Sequence, residues 1–235
     1  MDRPLFHCRL YAFVDAAFLH GRAPEDIARQ LCDGGADLIQ LRAKQATTAE
    51  VQRMAERILP VTRSAGVGLV INDHLAVARA VGAPICHLGQ EDFAATGCAQ
   101  VRELFAKPTA TRRQPTDATP QPSTLNHQPL IGLSTHSPTE AQRAMAAGAD
   151  YVGVGPVFAT GTKPEATPVT LDYIRWAAAN VTIPWFAIGG INLGNLDAVM
   201  AAGARRICVV SAILDAPDIT GACRRFKERL LCAAI

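Results

Sequence analysis

Three groups of residues in this chain have the types and spacing to handle a phosphorylated ligand. Gln40, Arg42 and Lys44 alternate along Gln40-Leu41-Arg42-Ala43-Lys44, so an extended backbone sends them to one side and Leu41 and Ala43 to the other. An Arg fork that grips two oxygens at once, beside a Lys and an amide, suits a diphosphate. Asp73, in Ile71-Asn72-Asp73, and Asp92, in His87-Leu88-Gly89-Gln90-Glu91-Asp92, can together hold Mg²⁺, which takes one or two protein carboxylates and leaves its other positions to water and phosphate oxygens. The stretch from Gly155-Pro156 through Thr160-Gly161-Thr162 to Lys163 has the composition of an anion clamp, with glycines for close backbone approach, two hydroxyls and a point charge. Each group has a plainer alternative: a solvated strand exit with ordinary salt bridges, helix N-caps for the two Asp residues, or a surface turn. A carboxylate pair beside an Arg/Lys cradle favours the metal over capping.

To act together, these groups must be brought to one place by the elements that carry them. Each stands at the end of a short β-rich run, and such runs alternate with helix-like segments, the pattern of βαβ units and a parallel sheet. Eight units are expected, with strands over Leu10–Asp15, Asp37–Arg42, Gly68–Asn72, Pro84–Gly89, Leu130–Ser134, Asp150–Gly155, Ile183–Gly189 and Arg206–Ser211. Pro24–Gly34, Thr48–Ser64, Pro138–Gly148, Leu171–Asn180 and Leu193–Gly203 carry apolar residues at helical spacing. Gly35-Ala36, Gly82-Ala83, Gly148-Ala149 and Gly203-Ala204 recur just before strands. Similar turns repeated in this way favour a closed (β/α)8 TIM barrel over a doubly wound open sheet. The α/β class and a single domain over residues 1–235 follow from the length and the even spacing of the units. Residues 107–128 break the rhythm with four prolines and five threonines and are expected to be a flexible insertion, on the barrel face away from the strand ends that carry the chemistry.

On a barrel the remaining strand ends gain meaning. Ser134 can reach an anion; His136 is undecided between proton transfer and structure; Ser137 with Glu140 reads as a capping box. His87 is expected to hydrogen-bond inside the barrel. Gly189-Gly190 and Val210-Ser211, after the last two strands, suit a second phosphate held by backbone N–H groups. A net charge of +2 with dispersed Lys and Arg argues against a nucleic-acid or membrane-surface partner. Seven scattered cysteines without paired spacing fit reduced thiols, and no apolar run is long enough to span a bilayer. A cytoplasmic protein with small-molecule substrates is expected, and the sequence is compatible with a homo-oligomer.

Read together, these strand ends resemble the thiamine-phosphate synthase family. The resemblance covers nearly the whole chain and includes Leu10-Tyr11, Gln40-x-Arg42-x-Lys44, Ile71-Asn72-Asp73, His87 to Asp92, Gly132-Leu133-Ser134, Asp150 to Phe158, Thr160-x-Thr162-Lys163, Ile188-Gly189-Gly190-Ile191 and Ser211-Ala212-Ile213. It implies a (β/α)8 barrel that joins hydroxymethylpyrimidine diphosphate to hydroxyethylthiazole phosphate, or its carboxylated form, with loss of diphosphate. By matching position it implies that Gln40, Arg42, Lys44, Asn72, Ser134 and Lys163 hold the pyrimidine diphosphate, with Arg42, Lys44, Ser134 and Lys163 acting in catalysis. Asp73 and Asp92 would hold Mg²⁺, and Thr160, Thr162, Gly190, Val210 and Ser211 the thiazole phosphate. The chain departs from the family pattern at Val14, before Asp15, at Pro168-Val169-Thr170, where glycine is frequent, and in the insertion.

Two other functions compete. A thiazole tautomerase-like barrel needs an acid/base such as His136 and no Mg²⁺ pair, and Asp73 with Asp92 argues against it. A non-catalytic phosphate-ligand binding module has no need of the full diphosphate cradle. Because the insertion contributes little to core or site, deletion of residues 109–127 is expected to leave turnover nearly unchanged; a large loss in a deletion variant that still folds would refute its placement.

Overall fold

The computed structural model describes residues 4–106, 128–161 and 167–232. Eight parallel strands pair in chain order: β1 (Leu10–Asp15), β2 (Leu38–Arg42), β3 (Gly68–Asn72), β4 (Ile85–Leu88), β5 (Leu130–Thr135), β6 (Tyr151–Val154), β7 (Trp185–Ala187) and β8 (Ile207–Cys208). β8 pairs back onto β1 through Leu10 with Ile207 and Tyr11 with Cys208, which closes the barrel. The helices are α1 (Pro24–Asp33), α2 (Thr48–Ser64), α3 (Leu75–Val81), α4 (Gln90–Ala95), α5 (Glu103–Ala106), α6 (Pro138–Ala146), α7 (Thr170–Asn180), α8 (Leu196–Ala201), α9 (Ser211–Leu214) and α10 (Ile219–Cys232). The insertion expected over 107–128 lies, except for Gln128, outside the described residues; the described chain on either side of it ends α5 and opens β5.

The strands are buried on both faces, and the two faces have different jobs. Ala12, Val14, Ile39, Leu41, Leu69 and Ile71 face outward under the helices, all 0–1% exposed. Their alternates Tyr11, Phe13, Gln40, Arg42 and Asn72 point inward and line a cavity at the carboxyl ends of the strands.

The recurrent Gly-Ala pairs have one structural cause. Gly35, Gly82, Gly148 and Gly203 all adopt positive φ, between 70° and 108°. The alanine after each donates its N–H five residues back, Ala36 to Leu31, Ala83 to Ala78, Ala149 to Ala144 and Ala204 to Val199. This is the Schellman cap, in which a left-handed residue, easiest for glycine, ends the helix and turns the chain. The buried alanine then leads directly into the next strand.

Expected and observed strands agree to within a residue or two except at the last. β8 covers Ile207–Cys208 and not Arg206–Ser211, because Val210 (φ −113°, ψ −91°) leaves the extended region and its carbonyl accepts the N–H groups of Ile213 and Leu214. Ser211 therefore opens a one-turn helix and does not extend a strand. Thr170 starts α7 at φ 62°, in the left-handed region that β-branched residues rarely occupy.

At the opposite end of the barrel, Asp37 locks the first two strands to the last helix. Its fully buried carboxylate accepts the N–H groups of Arg9 (2.8 Å) and Leu10 (3.0 Å) and pairs with Lys227 of α10. Asp150 repeats the arrangement one half-barrel away, accepting Ile131 N–H at 2.7 Å. Replacing Asp37 with Ala leaves two backbone donors and a mostly buried ammonium without that acceptor, so a loss of roughly 3 kcal/mol is expected. Urea unfolding of Asp37→Ala tests this, and a loss below about 1 kcal/mol would show the pair to act as an exposed one.

Candidate active site

The carboxyl ends of the strands enclose a cavity of about 610 Å³. Among the expected site residues, Gln40, Arg42, Lys44, Asn72, Asp73, Asp92, Ser134, Thr160, Gly190, Val210 and Ser211 all line it. Thr162 and Lys163 lie outside the described residues.

One wall is charged. Arg42 ends β2 directly beside Asp15, the last residue of β1, and its guanidinium donates to the Asp15 carboxylate at 2.6 Å. The Asp15 side chain is 2% exposed and that of Arg42 14%, so the fork is held at one end and free to offer its remaining N–H groups to the cavity. Sequence reasoning missed this anchor, although two aligned strands that end in Asp and Arg were the signal for it. Lys44, past the strand end, is exposed at the cavity rim.

Neither Asp73 nor Asp92 caps a helix. The N-cap positions of α3 and α4 belong to His74 and Gly89, neither of which makes a side-chain cap. The carboxyls of Asp73 and Asp92 instead lie within hydrogen-bonding reach of each other, so that a proton on one can be shared with the other. The Asp73 backbone, at φ 62°, turns back so that its N–H reaches the His87 carbonyl across the β3–β4 seam. Burial, and next the charge of Asp92, push the Asp73 pKa above the ordinary carboxylate range, with Lys44 opposing. Asn72, expected at the diphosphate, donates its amide to Asp73 at 2.6 Å and so helps to hold the pair. Two carboxyls pressed together in this way can accept a divalent cation between them, with phosphate oxygens and water completing its shell. Among the described residues no group of three or more His, Cys, Asp or Glu gathers to hold a metal.

The opposite wall is backbone. The loop after β6 is laced to the loop after β7 by Val157 N–H to Ile188 (2.8 Å) and Phe158 N–H to Gly189 (3.1 Å). Contact this close requires glycine: a Cβ on Gly155 would lie 2.0 Å from the Ile188 carbonyl oxygen, and one on Gly190 2.6 Å from that of Ala159. Gly190, Val210 and Ser211 face the cavity from this side.

Polar aromatic side chains form the floor. Gln40 sits deeper than its two cationic neighbours, 4% exposed, with its amide on the Tyr11 hydroxyl at 2.6 Å. His87 hydrogen-bonds Tyr151 and Ser134, as expected of a histidine inside the barrel. At the rim, Ser137 caps α6 by accepting Glu140 N–H, but the box is not reciprocal. The Glu140 carboxylate turns to His136 and accepts from its N–H (2.7 Å) and its Nδ1 (3.1 Å). His136 is thus held by Glu140 beside the cavity.

The closed barrel, its charged wall and its glycine-laced opposite wall define a (β/α)8-barrel protein with a polar site at the end where such barrels carry out chemistry. The profile of the family described as thiamine monophosphate synthase matches residues 10–109 and 115–213. The chain is 43% identical over 198 residues to a thiamine-phosphate synthase of Thermus thermophilus, covering 84% of each. It is 40% identical over 220 residues to that of Chloroflexus aurantiacus, covering 93% of this chain and 91% of the other. Its fold is similar to the solved thiamine phosphate pyrophosphorylase of Pyrococcus furiosus, with a TM-score of 0.78, 28% identity and 96% of each chain covered. The chain belongs to the thiamine-phosphate synthase family, whose members are transferases.

The raised Asp73 pKa has a stability consequence that needs no substrate. The folded state holds a proton on Asp73 at pH values where the unfolded chain has released it, so stability in EDTA falls as pH rises from the ordinary carboxylate pKa through the raised one. Asn tolerates the left-handed backbone as Asp does and carries no charge. Asp73→Asn is therefore expected to melt a few degrees above the parent in EDTA at neutral pH, an advantage that shrinks on acidification. An unchanged or lower melting temperature at neutral pH would mean that burial and the Asp92 charge do not disfavour the ionised Asp73 carboxylate.

Proposed function

We propose that this chain joins hydroxymethylpyrimidine diphosphate to hydroxyethylthiazole phosphate, or its carboxylated form, giving thiamine phosphate and diphosphate. The observation that carries this activity is the pairing of walls: a buried Asp15–Arg42 pair, Lys44 and two touching carboxyls facing Gly190 and Ser211 across one cavity. Charge suited to a metal-bound diphosphate lies on one side and glycine backbone suited to a monophosphate on the other. The names of the relatives support the same substrates.

In the proposed reaction the bond from the pyrimidine methylene carbon to the diphosphate oxygen breaks, and diphosphate leaves with the electron pair. The electron-rich pyrimidine bears the positive charge left on that carbon, and the thiazole nitrogen donates its lone pair to form the new C–N bond. Arg42, fixed by Asp15, grips two oxygens of the leaving group, and Lys44 adds a point charge at the rim. Lys163 and Ser134 complete the diphosphate contacts, with Gln40 and Asn72 beside them, while Thr160, Thr162, Gly190, Val210 and Ser211 hold the thiazole phosphate. Mg²⁺ bound by Asp73 and Asp92 would neutralise charge on the departing diphosphate. No protein nucleophile is needed. We also infer that the described barrel is one domain and that the protein works in the cytoplasm. Among the described residues no helix is long and apolar enough to cross a membrane.

Incubation with both phosphorylated substrates and Mg²⁺ should yield thiamine phosphate; no product would sink the proposed activity. Asp73→Asn and Asp92→Asn should each lose about 10²–10³ in rate, roughly 2–4 kcal/mol of transition-state stabilisation, and require more Mg²⁺ for half-maximal turnover. Wild-type turnover that survives excess EDTA, or variants with normal Mg²⁺ dependence, would remove the metal role from this pair.

A further inference from the structure

Beneath the cavity the side chains of five strands form one continuous hydrogen-bonded chain. Gln40 Nε2 of β2 donates to Tyr11 Oη of β1 at 2.6 Å, and Tyr11 Oη lies 3.1 Å from Tyr151 Oη of β6. Tyr151 Oη lies 3.0 Å from His87 Nδ1 of β4, and His87 Nε2 lies 2.9 Å from Ser134 Oγ of β5. We propose that this chain has a single direction that makes Ser134 a hydrogen-bond donor toward the bound ligand, with Tyr11, Tyr151 and His87 as its positioning residues.

The direction follows from donor counting. An amide nitrogen only donates, so Tyr11 Oη accepts from Gln40 and has its one proton left for Tyr151. Tyr151, having accepted, gives its proton to His87 Nδ1. A neutral imidazole with an accepting Nδ1 carries its proton on Nε2, and that proton goes to Ser134 Oγ. Ser134 then has its own hydroxyl proton for the cavity that it lines. Burial pushes both phenols well above their ordinary pKa, so each keeps the single proton that the count requires.

The rings are fixed in place for this. Tyr11 stacks on Phe13 with centroids 5.3 Å apart, and Phe186 meets Tyr11 and Tyr151 edge-on at 5.4 and 5.6 Å. Gly132 is the clearest sign that the sequence accommodates Tyr151, because a Cβ there would lie 2.0 Å from the Tyr151 ring. An acceptor-only ligand such as a phosphate oxygen, or a ring nitrogen with a lone pair, matches a donating Ser134; an amino hydrogen does not. Were the links beyond Tyr11 to run the other way, Tyr11 Oη would accept from both Gln40 and Tyr151 with no acceptor in this chain for its own proton, and Ser134 would spend its proton on His87 and accept from the ligand.

The kinetic part of the proposal rests on the synthase activity above; the protonation pattern does not. The first test is ¹⁵N NMR of the full chain with labelled histidine, using His87→Gln to assign the signals. The expected pattern is a proton on Nε2 and a bare Nδ1 in the parent, with that preference lost in Tyr151→Phe. A proton on Nδ1 of the parent would overturn the proposal. The second test is a double-mutant cycle. Tyr151→Phe should lower kcat/KM about tenfold, the scale of one hydrogen bond, while the enzyme stays folded by circular dichroism. Ser134→Ala should then cost several-fold less in the Tyr151→Phe background than in the parent. Losses that simply multiply would refute the coupling. If the parent made no thiamine phosphate, the synthase activity would fall while the histidine signals remained decisive; an active parent with Nδ1 protonated would overturn the direction of the chain alone.

Discussion

Closure of a parallel sheet is the constraint on which the rest of this structure depends. Parallel pairing sends every carboxyl strand end to one rim, and the return of β8 onto β1 makes that rim a ring. The inner residues of β1 to β6 can then meet across the axis, which an open sheet does not allow. The Tyr11–Tyr151 contact, between residues 140 apart in sequence, exists only because of that closure. The laced loops after β6 and β7 need only the direct pairing of those two strands.

Within that ring the electrostatics run against folding. Asp73 and Asp92 are held together although burial and mutual charge both disfavour the ionised pair. Arg42 is the reverse case, a cation already satisfied by a buried Asp15 before any ligand arrives. The site thus keeps its guanidinium fork rigid and its carboxyl pair under tension, which is where a stability cost is expected in a functional site. Compensating contacts lie at the other end of the barrel, where Asp37 joins β1, β2 and α10 and Asp150 joins β5 and β6. Ligand chemistry and strand anchoring are divided between the two ends of one sheet.

Side chains singled out for chemistry also turn out to hold one another. Asn72 supports Asp73, Glu140 supports His136 and Gln40 supports Tyr11. Both partners of each pair line the cavity, so hydrogen bonds among the lining side chains hold them in place before any ligand arrives.

The alternation of strands and helices, the Gly-Ala turns between them and the inward set Gln40, Arg42 and Lys44 were all legible in the residues alone. These are local patterns: a period of two, a helical period, and a glycine that alone relaxes at positive φ. The motif-by-motif resemblance carried the family. Only the tertiary structure decided that Asp15 anchors Arg42, that Asp73 and Asp92 face each other and do not cap helices, that Ser211 begins a helix, and that Glu140 serves His136. The reason is physical. A residue's backbone preference and its immediate neighbours are written within a few positions, but which strand end a side chain faces is set by closure and register, to which the whole barrel contributes.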